Sequence, residues 1–179
     1  MSSQTDLPSL TQLNSISYLD KSGYLPQFLE GKIGVYAIFD AEQVLQYVGY
    51  SRNVYASLKQ HLVRKPQSCY QLKVTTIERP SRTILEEIKA AWIAENGSTP
   101  AGNATEENQW SQAINVKPLM SAAEEAEYEQ LEQLGQEKLL KNVARRIESQ
   151  ILDILKQRGV QEEIRFNPKL KSSGLLDLK

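Results

Sequence analysis

Of 179 residues, one is cysteine and one is histidine. A single thiol, Cys69, excludes an internal disulfide, and with His61 alone beside it no Cys/His zinc cage can form. No apolar run approaches the ~18 residues that cross a bilayer. The N-terminus lacks the basic and apolar blocks of a secretory signal. These absences lead us to expect a reduced, cytoplasmic protein with no membrane association. An excess of positive charge is missing too: 21 Lys and Arg against 22 Asp and Glu give a net charge of −1. That excludes the strongly basic footprint of a dedicated DNA binder. What remains has the composition of a soluble globular chain, 40% hydrophobic and 24% charged. Its length suits one domain, or one small domain with an appendage.

The charge that is present is unevenly spread. Between Arg52 and Arg82 stand seven basic residues (Arg52, Lys59, Arg64, Lys65, Lys73, Arg79, Arg82) and one acid, Glu78. Between Glu124 and Glu132 there are five acids and no base. Such runs are either solvated faces or, for the basic one, a local anion-facing patch in a neutral protein.

Residues 1–31 are polar, contain Pro8 and Pro26, and read as an irregular N-terminal arm. The β-rich runs 32–39 and 44–50, separated by the turn-like Asp40–Gln43, predict a hairpin. Ser51 or Asn53 can cap a following helix with Val54, Leu58 and Leu62 on one face. A third strand is predicted over 70–77 and a second helix over 83–95, stopped by Asn96-Gly97. Residues 97–121 are rich in breakers and read as a long connection. A long helical stretch from 122 to 158, bent near Gly135, carries the stripe Leu140, Val143, Ile147, Ile151, Ile154. That stripe needs burial, on the sheet, or against a second copy as a homodimer or another protein partner. The tail offers one β-like piece, Glu163–Phe166.

In the hairpin, a four-residue loop places Tyr36 opposite Tyr47 and Gly34 opposite Gly49, all on one sheet face. Val35, Ala37, Phe39, Val44 and Val48 then occupy the other face, where a helix can cover them. A cross-strand tyrosine pair is by itself a packing contact. Two interior strand glycines beside it leave a hollow, and such glycines often mark close approach by a ligand.

Gly34-Val35-Tyr36 and, after ten intervening residues, Tyr47-Val48-Gly49 resemble the signature of the GIY-YIG nuclease superfamily. The predicted order strand, strand, helix, strand, helix over 32–103 is similar to that family's core. More narrowly, Val48-Gly49-Tyr50-Ser51-Arg52-Asn53, Cys69, Trp92-Ile93 and Pro100-Ala101-Gly102-Asn103 resemble the GIY-YIG-type N-terminal domain of plant chloroplast monothiol glutaredoxins. No glutaredoxin active-site motif accompanies them. The resemblance implies an α+β fold: a small antiparallel sheet of about three strands flanked by helices, here followed by the long C-terminal helix. It divides the chain into an arm (1–31), a core domain (32–103) and a linker with helical extension (104–179).

It also implies phosphodiester cleavage. In that family a helix glutamate holds a divalent metal, Mg or Mn, as Lewis acid. Paired tyrosines position or deprotonate the attacking water, a task for which a free phenol, with a pKa of about 10, needs help. A first-helix arginine grips the phosphate. Tyr36 and Tyr47 match this pattern, and His61 falls where the family often has a His or Tyr. Two positions depart from it. The arginine position is Ser57, leaving Arg52 at the helix entrance as a substitute in kind. The glutamate position is Lys89, leaving Glu86, one turn earlier, as the metal ligand. Arg52, Lys59 and Lys89 are the residues expected to meet DNA or RNA. Cys69, alone in the chain, can form only mixed disulfides or dimers, and an inert thiol is its default. The expectation is therefore an endonuclease-like protein, weak in hydrolysis or limited to binding nucleic acid; the alternative is a catalytically inactive scaffold or partner-binding module.

Overall fold

A computed structural model describes residues 7–179; Met1–Asp6 of the expected N-terminal arm lie outside the described residues. Two compact units emerge, one running through Ser111 and one spanning Gln112–Lys179. The strands of the first are β1 (Ile16–Ser17), β2 (Ile33–Phe39), β3 (Leu45–Ser51) and β4 (Gln71–Ile77). They form one antiparallel sheet in the order β1-β4-β2-β3. The α+β class holds, with four strands where about three were expected. The addition, β1, is two residues long and too short to leave a readable alternation.

Helix α1 (Val54–Arg64) begins where the Asn53 side chain accepts the Ala56 N–H. Helix α2 (Arg82–Asn96) is capped by Ser81 and stopped by Gly97 at a left-handed φ of +84°. The two helices cover opposite sheet faces. Leu85, Ile88 and Trp92 of α2 pack on Val35, Ala37, Leu45 and Val48. On the other face α1 buries Val54, Leu58, His61 and Leu62, and the buried Tyr18 hydroxyl donates to the Leu58 carbonyl.

The hairpin register differs from the expected one by two residues. Asp40 closes its turn on Val44: the Asp40 N–H donates to the Val44 carbonyl (3.0 Å), and its carboxylate accepts from the Glu42 and Val44 N–H groups. Gln43 takes a left-handed φ of +63° to complete the turn. Phe39 therefore pairs with Leu45 instead of Val44, and a bulge next to Ile38 adds the second residue. Ile38 now faces Tyr47, Tyr36 faces Gly49, and Gly34 faces Ser51. An even shift preserves faces, so Tyr36 and Tyr47 still share one, as diagonal neighbours. The bulge also exchanges two core positions. Leu45 packs under α2, while Val44, expected there, is exposed.

β3 lies at the edge of the sheet, where an unpaired backbone invites association. Here a 3-10 turn at Ala101–Asn103 covers it. The Asn103 side chain imitates a strand: its Oδ1 accepts the Val48 N–H (2.8 Å) and its Nδ2 donates to the Val48 carbonyl (2.7 Å). Gly102 permits the approach, because a Cβ there would meet the Gln46 carbonyl oxygen at 2.4 Å. The unit ends with a short helix, α3 (Glu107–Ser111), inside what the sequence presents as a breaker-rich connection.

In the second unit, α4 (Ala122–Gln130) opens with a capping box between Ser121 and Glu124. It is separated from α5 (Gln133–Gln157) at Leu131–Glu132, a little before the glycine where the bend was expected. Leu140, Val143, Ile147 and Ile151 are buried as expected; Ile154 is half-buried and Leu155 takes the inward position. The chain's own tail lies along this helix. A 3-10 helix, Pro168–Ser173, packs on α5, and Leu175–Leu176 (β6) pairs with Ile114–Asn115 (β5). Glu163–Phe166 is not a strand; Phe166 makes one isolated bridge to Leu178. Among the described residues no helix is long and apolar enough to cross a membrane.

Asn103→Ala removes both groups that satisfy Val48 and should cost about 1–3 kcal/mol. Asn103→Asp should cost a similar amount, because a carboxylate cannot donate to the Val48 carbonyl. Chemical denaturation checks both; two neutral variants would mean that the edge strand does not depend on this side chain.

Candidate functional site

Four rings meet on the sheet face that carries α1. β2 supplies Tyr36, β3 supplies Tyr47, α1 supplies His61 and α3 supplies Trp110. The Tyr36 hydroxyl and His61 Nε2 are 2.7 Å apart in a buried hydrogen bond, with Tyr36 2% and His61 4% exposed. The Tyr47 ring centroid lies 4.8 Å from His61 and 6.2 Å from Tyr36. Trp110, fully buried, stacks on Tyr47 at 5.2 Å with planes 4° apart. The hollow expected beside the glycines is absent: at Gly34 the β4 backbone fills it, a Cβ there meeting the Thr75 carbonyl oxygen at 2.3 Å, and at Gly49 the phenols do. A Cβ on Gly49 would stand 2.6 Å from Tyr47 Cε1 and 2.8 Å from Tyr36 Oη. An aromatic ring thus covers a strand glycine that has no side chain of its own.

Burial sets the electrostatics. It raises the Tyr36 phenol far above its usual range, and a neighbouring charge on Tyr47 would raise it further, while Ser57 opposes. Tyr47 is raised by burial and then by Glu107. The His61 imidazole is pushed down to about 3 by burial and then by Arg64, with the Trp110 carbonyl opposing. Near neutral pH both partners of the Tyr36–His61 bond are uncharged. A useful general base has a pKa near working pH, and these two groups are displaced from it in opposite directions. In this closed arrangement the pair is a structural bond and a poor proton shuttle.

The segment bearing Trp110 is held to α1 through cations. Arg64 Nη1 donates to the Trp110 carbonyl (3.0 Å). Lys65 Nζ pairs with Glu106 (3.0 Å) and donates to Gln109 Oε1. Sequence reasoning missed Trp110, although a tryptophan amid the polar run Thr105–Gln109 is a signal of burial.

The structure brings Tyr36, Tyr47 and His61 together. Arg52 is exposed at the start of α1, apart from that cluster. It lines an open cavity of about 380 Å³ with Tyr50, Ser51, Ser81, Arg82 and Leu85. Ser57, at the expected arginine position, donates to Ser51 Oγ (2.7 Å). Lys59 is half-buried on α1, and Lys89, half-buried on α2, places its ammonium 5.9 Å from the Tyr50 ring centroid. Glu86 is exposed on α2 and accepts from Arg82 Nε (2.9 Å) and the Tyr50 hydroxyl (3.1 Å). Those bonds hold its carboxyl below the usual range. Tyr50 pairs with Val35 and packs with the α2 cluster, so Glu86 belongs to the face opposite the two signature tyrosines. Cys69 is buried with Sγ 3.7 Å from the His61 carbonyl oxygen.

A Mg or Mn ion takes a shell of oxygen ligands. Among the described residues no three His, Cys, Asp or Glu side chains cluster. Glu86 shares its carboxylate with a guanidinium and feels the charge of Lys89. An ion there would have one carboxylate, Glu86, and would have to displace the Arg82 guanidinium from it.

No family model matches the chain. Over 79 residues it is 39% identical to a protein of Arabidopsis thaliana named bifunctional monothiol glutaredoxin-S16, chloroplastic. That match takes in 42% of this chain and 27% of the relative, so the chain spans about a quarter of the curated protein it matches.

The buried imidazole makes stability depend on pH. Unfolded, His61 takes up its proton near pH 6.5; folded, it does so only near 3. Between those values the unfolded state binds the extra proton, so stability is lost as pH falls from 6.5 towards 3. By pH 4.5 the loss from this group should be ~2–3 kcal/mol. His61→Gln removes that titration and should flatten the change in denaturation midpoint between neutral pH and pH 4.5 accordingly. Parallel pH profiles for the two proteins would show that the imidazole is solvated.

Proposed function

We propose that the first unit is a nucleic-acid-binding domain of the GIY-YIG type, endonuclease-like in fold and degenerate in its hydrolytic centre. The observation that carries this reading is the cavity bordered by Arg52 and Arg82 at the opening turn of α2. Two guanidiniums offer paired donors to phosphate oxygens, and a helix start adds backbone N–H groups and a favourable dipole. The Arg82–Glu86 pair is exposed on both sides and contributes little to stability, so a phosphodiester can replace the carboxylate. Of the seven basic residues between positions 52 and 82, Arg52, Arg79 and Arg82 are exposed, while Arg64, Lys65 and Lys73 are engaged elsewhere.

Hydrolysis receives less support. Both tyrosines lie beneath other rings, Glu86 belongs to the opposite face, and Ser57 and Lys89 stand where an arginine and a glutamate were expected. The burial of Tyr36 and the Trp110 ring stacked on half-buried Tyr47 favour a second reading, a catalytically inactive scaffold that binds a protein partner.

Binding of labelled duplex DNA or RNA, followed by fluorescence anisotropy, separates the two. Affinity should fall steeply between about 50 and 200 mM salt. Arg52→Ala and Arg82→Ala should each weaken binding roughly three- to tenfold and reduce the salt slope by about one. Nicking of supercoiled DNA with Mg²⁺ should stay near background, with no further loss in Tyr47→Phe. Absence of salt-dependent binding would leave the scaffold reading; robust cleavage abolished by Tyr47→Phe would establish an active nuclease.

A further inference from the structure

We infer that residues Glu106–Trp110 are an internal mimic of a nucleotide, and that moving them aside exposes a stacking site on Tyr47 for an unpaired nucleobase, with Lys65 receiving its phosphate. The inference rests on the nucleic-acid-binding reading above and adds the kind of nucleic acid and a place where its base is held.

The geometry supplies both halves of the mimicry. The indole of Trp110 is a flat fused bicycle of purine dimensions, and it lies parallel to Tyr47, 4° between planes and 5.2 Å between centroids. That is the arrangement in which proteins hold bases of single strands. Four residues earlier the Glu106 carboxylate meets Lys65 Nζ at 3.0 Å, an anion where a phosphate would sit. Ring and anion come from one short segment and land on two side chains of the domain's main body. Glu107, on the same segment, is close enough to Tyr47 to oppose ionisation of its phenol. Removing the segment takes two carboxylates from the site and leaves Tyr47 and His61 beside Arg64 and Lys65. A base with its attached phosphate fits an aromatic floor with a cationic rim; an apolar peptide does not.

The closed state is also imperfectly satisfied. Trp110 Nε1 is buried with no hydrogen-bond partner, and His61 Nδ1 has only the Trp110 carbonyl beside it, outside normal hydrogen-bond geometry. Buried polar atoms without partners are rare and costly. Opening would hydrate both, and a bound base could pair with His61 Nδ1. The closed form is therefore held by stacking and by the Arg64 and Lys65 contacts, against a penalty that opening relieves.

The test uses the full chain, a labelled oligodeoxyadenylate and a duplex of equal length at one salt concentration. Trp110→Ala should raise single-strand affinity roughly tenfold and leave duplex affinity unchanged. Tyr47→Leu added to that variant should cancel the gain. In the wild-type protein, saturation with the single strand should increase acrylamide quenching of tryptophan, because Trp110 leaves its pocket while Trp92 stays buried. Should Trp110→Ala fail to fold, Glu106→Gln decides: it keeps the core, loosens the latch and should raise single-strand affinity several-fold. If the folded variants bind the single strand no better than wild type but still bind duplex, the inference is overturned and the phosphate-binding reading stands. Equal gains for both forms also overturn it, since bared basic surface alone would explain them. Failure of every protein to bind either form overturns both.

Discussion

The hydrogen bond between the Tyr36 hydroxyl and His61 Nε2 is the contact on which the first unit is organised. It crosses from the sheet's second strand to α1 with both partners almost wholly buried. Each of its requirements is met elsewhere in the chain. Gly49 leaves room for the Tyr36 ring; the even register shift keeps Tyr47 on the same face; Asn53 starts α1 so that His61 comes two turns later. Trp110 then closes the remaining side. Burial of a phenol and an imidazole favours their neutral forms, so the features that make this a stable core also remove the charge states acid–base chemistry would use.

The two sheet faces therefore differ in character. One carries the closed ring cluster, where polar atoms are few and the Trp110 Nε1 lacks a partner. Beside the other, where α2 packs, lies an open cavity with Arg52 and Arg82 on its margin and Glu86 within reach of Arg82. Glu86 and the paired tyrosines thus fall on opposite faces. The arginine cavity lies apart from the ring cluster, whereas one face of the half-buried Tyr47 ring is occupied by Trp110.

Much of this was legible in the sequence, for reasons that differ residue by residue. Period-two and period-3.6 patterns located β2, β3, β4, α1 and α2, and Asn53, Ser81 and Gly97 marked their ends as capping chemistry requires. The side of the sheet shared by Tyr36, Tyr47 and Gly49 was readable because it depends on parity alone. Their exact partners were not, since the register hangs on a left-handed Gln43 and a bulge, neither announced by glycine. β1 was too short to show alternation. Trp110 was hidden for another reason: residues 97–121 look like a connection because their breakers are real, and a connection can still fold back as cover. Glu86 was placed one turn from the expected carboxylate, which is correct along the helix; what the sequence could not show is that this position pairs with Arg82 and Tyr50 on the opposite face. The tail's packing along α5 was likewise invisible, because Pro168–Ser173 has no periodic pattern.

With one histidine in the chain, the side-chain ¹H–¹⁵N spectrum of His61 followed from pH 7 to pH 4 measures the central contact without ambiguity. The account requires a neutral imidazole in a single tautomer across that range, with Nε2 shifted by its bond to the Tyr36 phenol and no titration above about pH 4. An imidazole that titrates near the free value of about 6.5, or that averages between tautomers, would contradict it. In that case the ring cluster is open to water, and neither the structural bond nor the burial of Tyr36 and His61 exists as described.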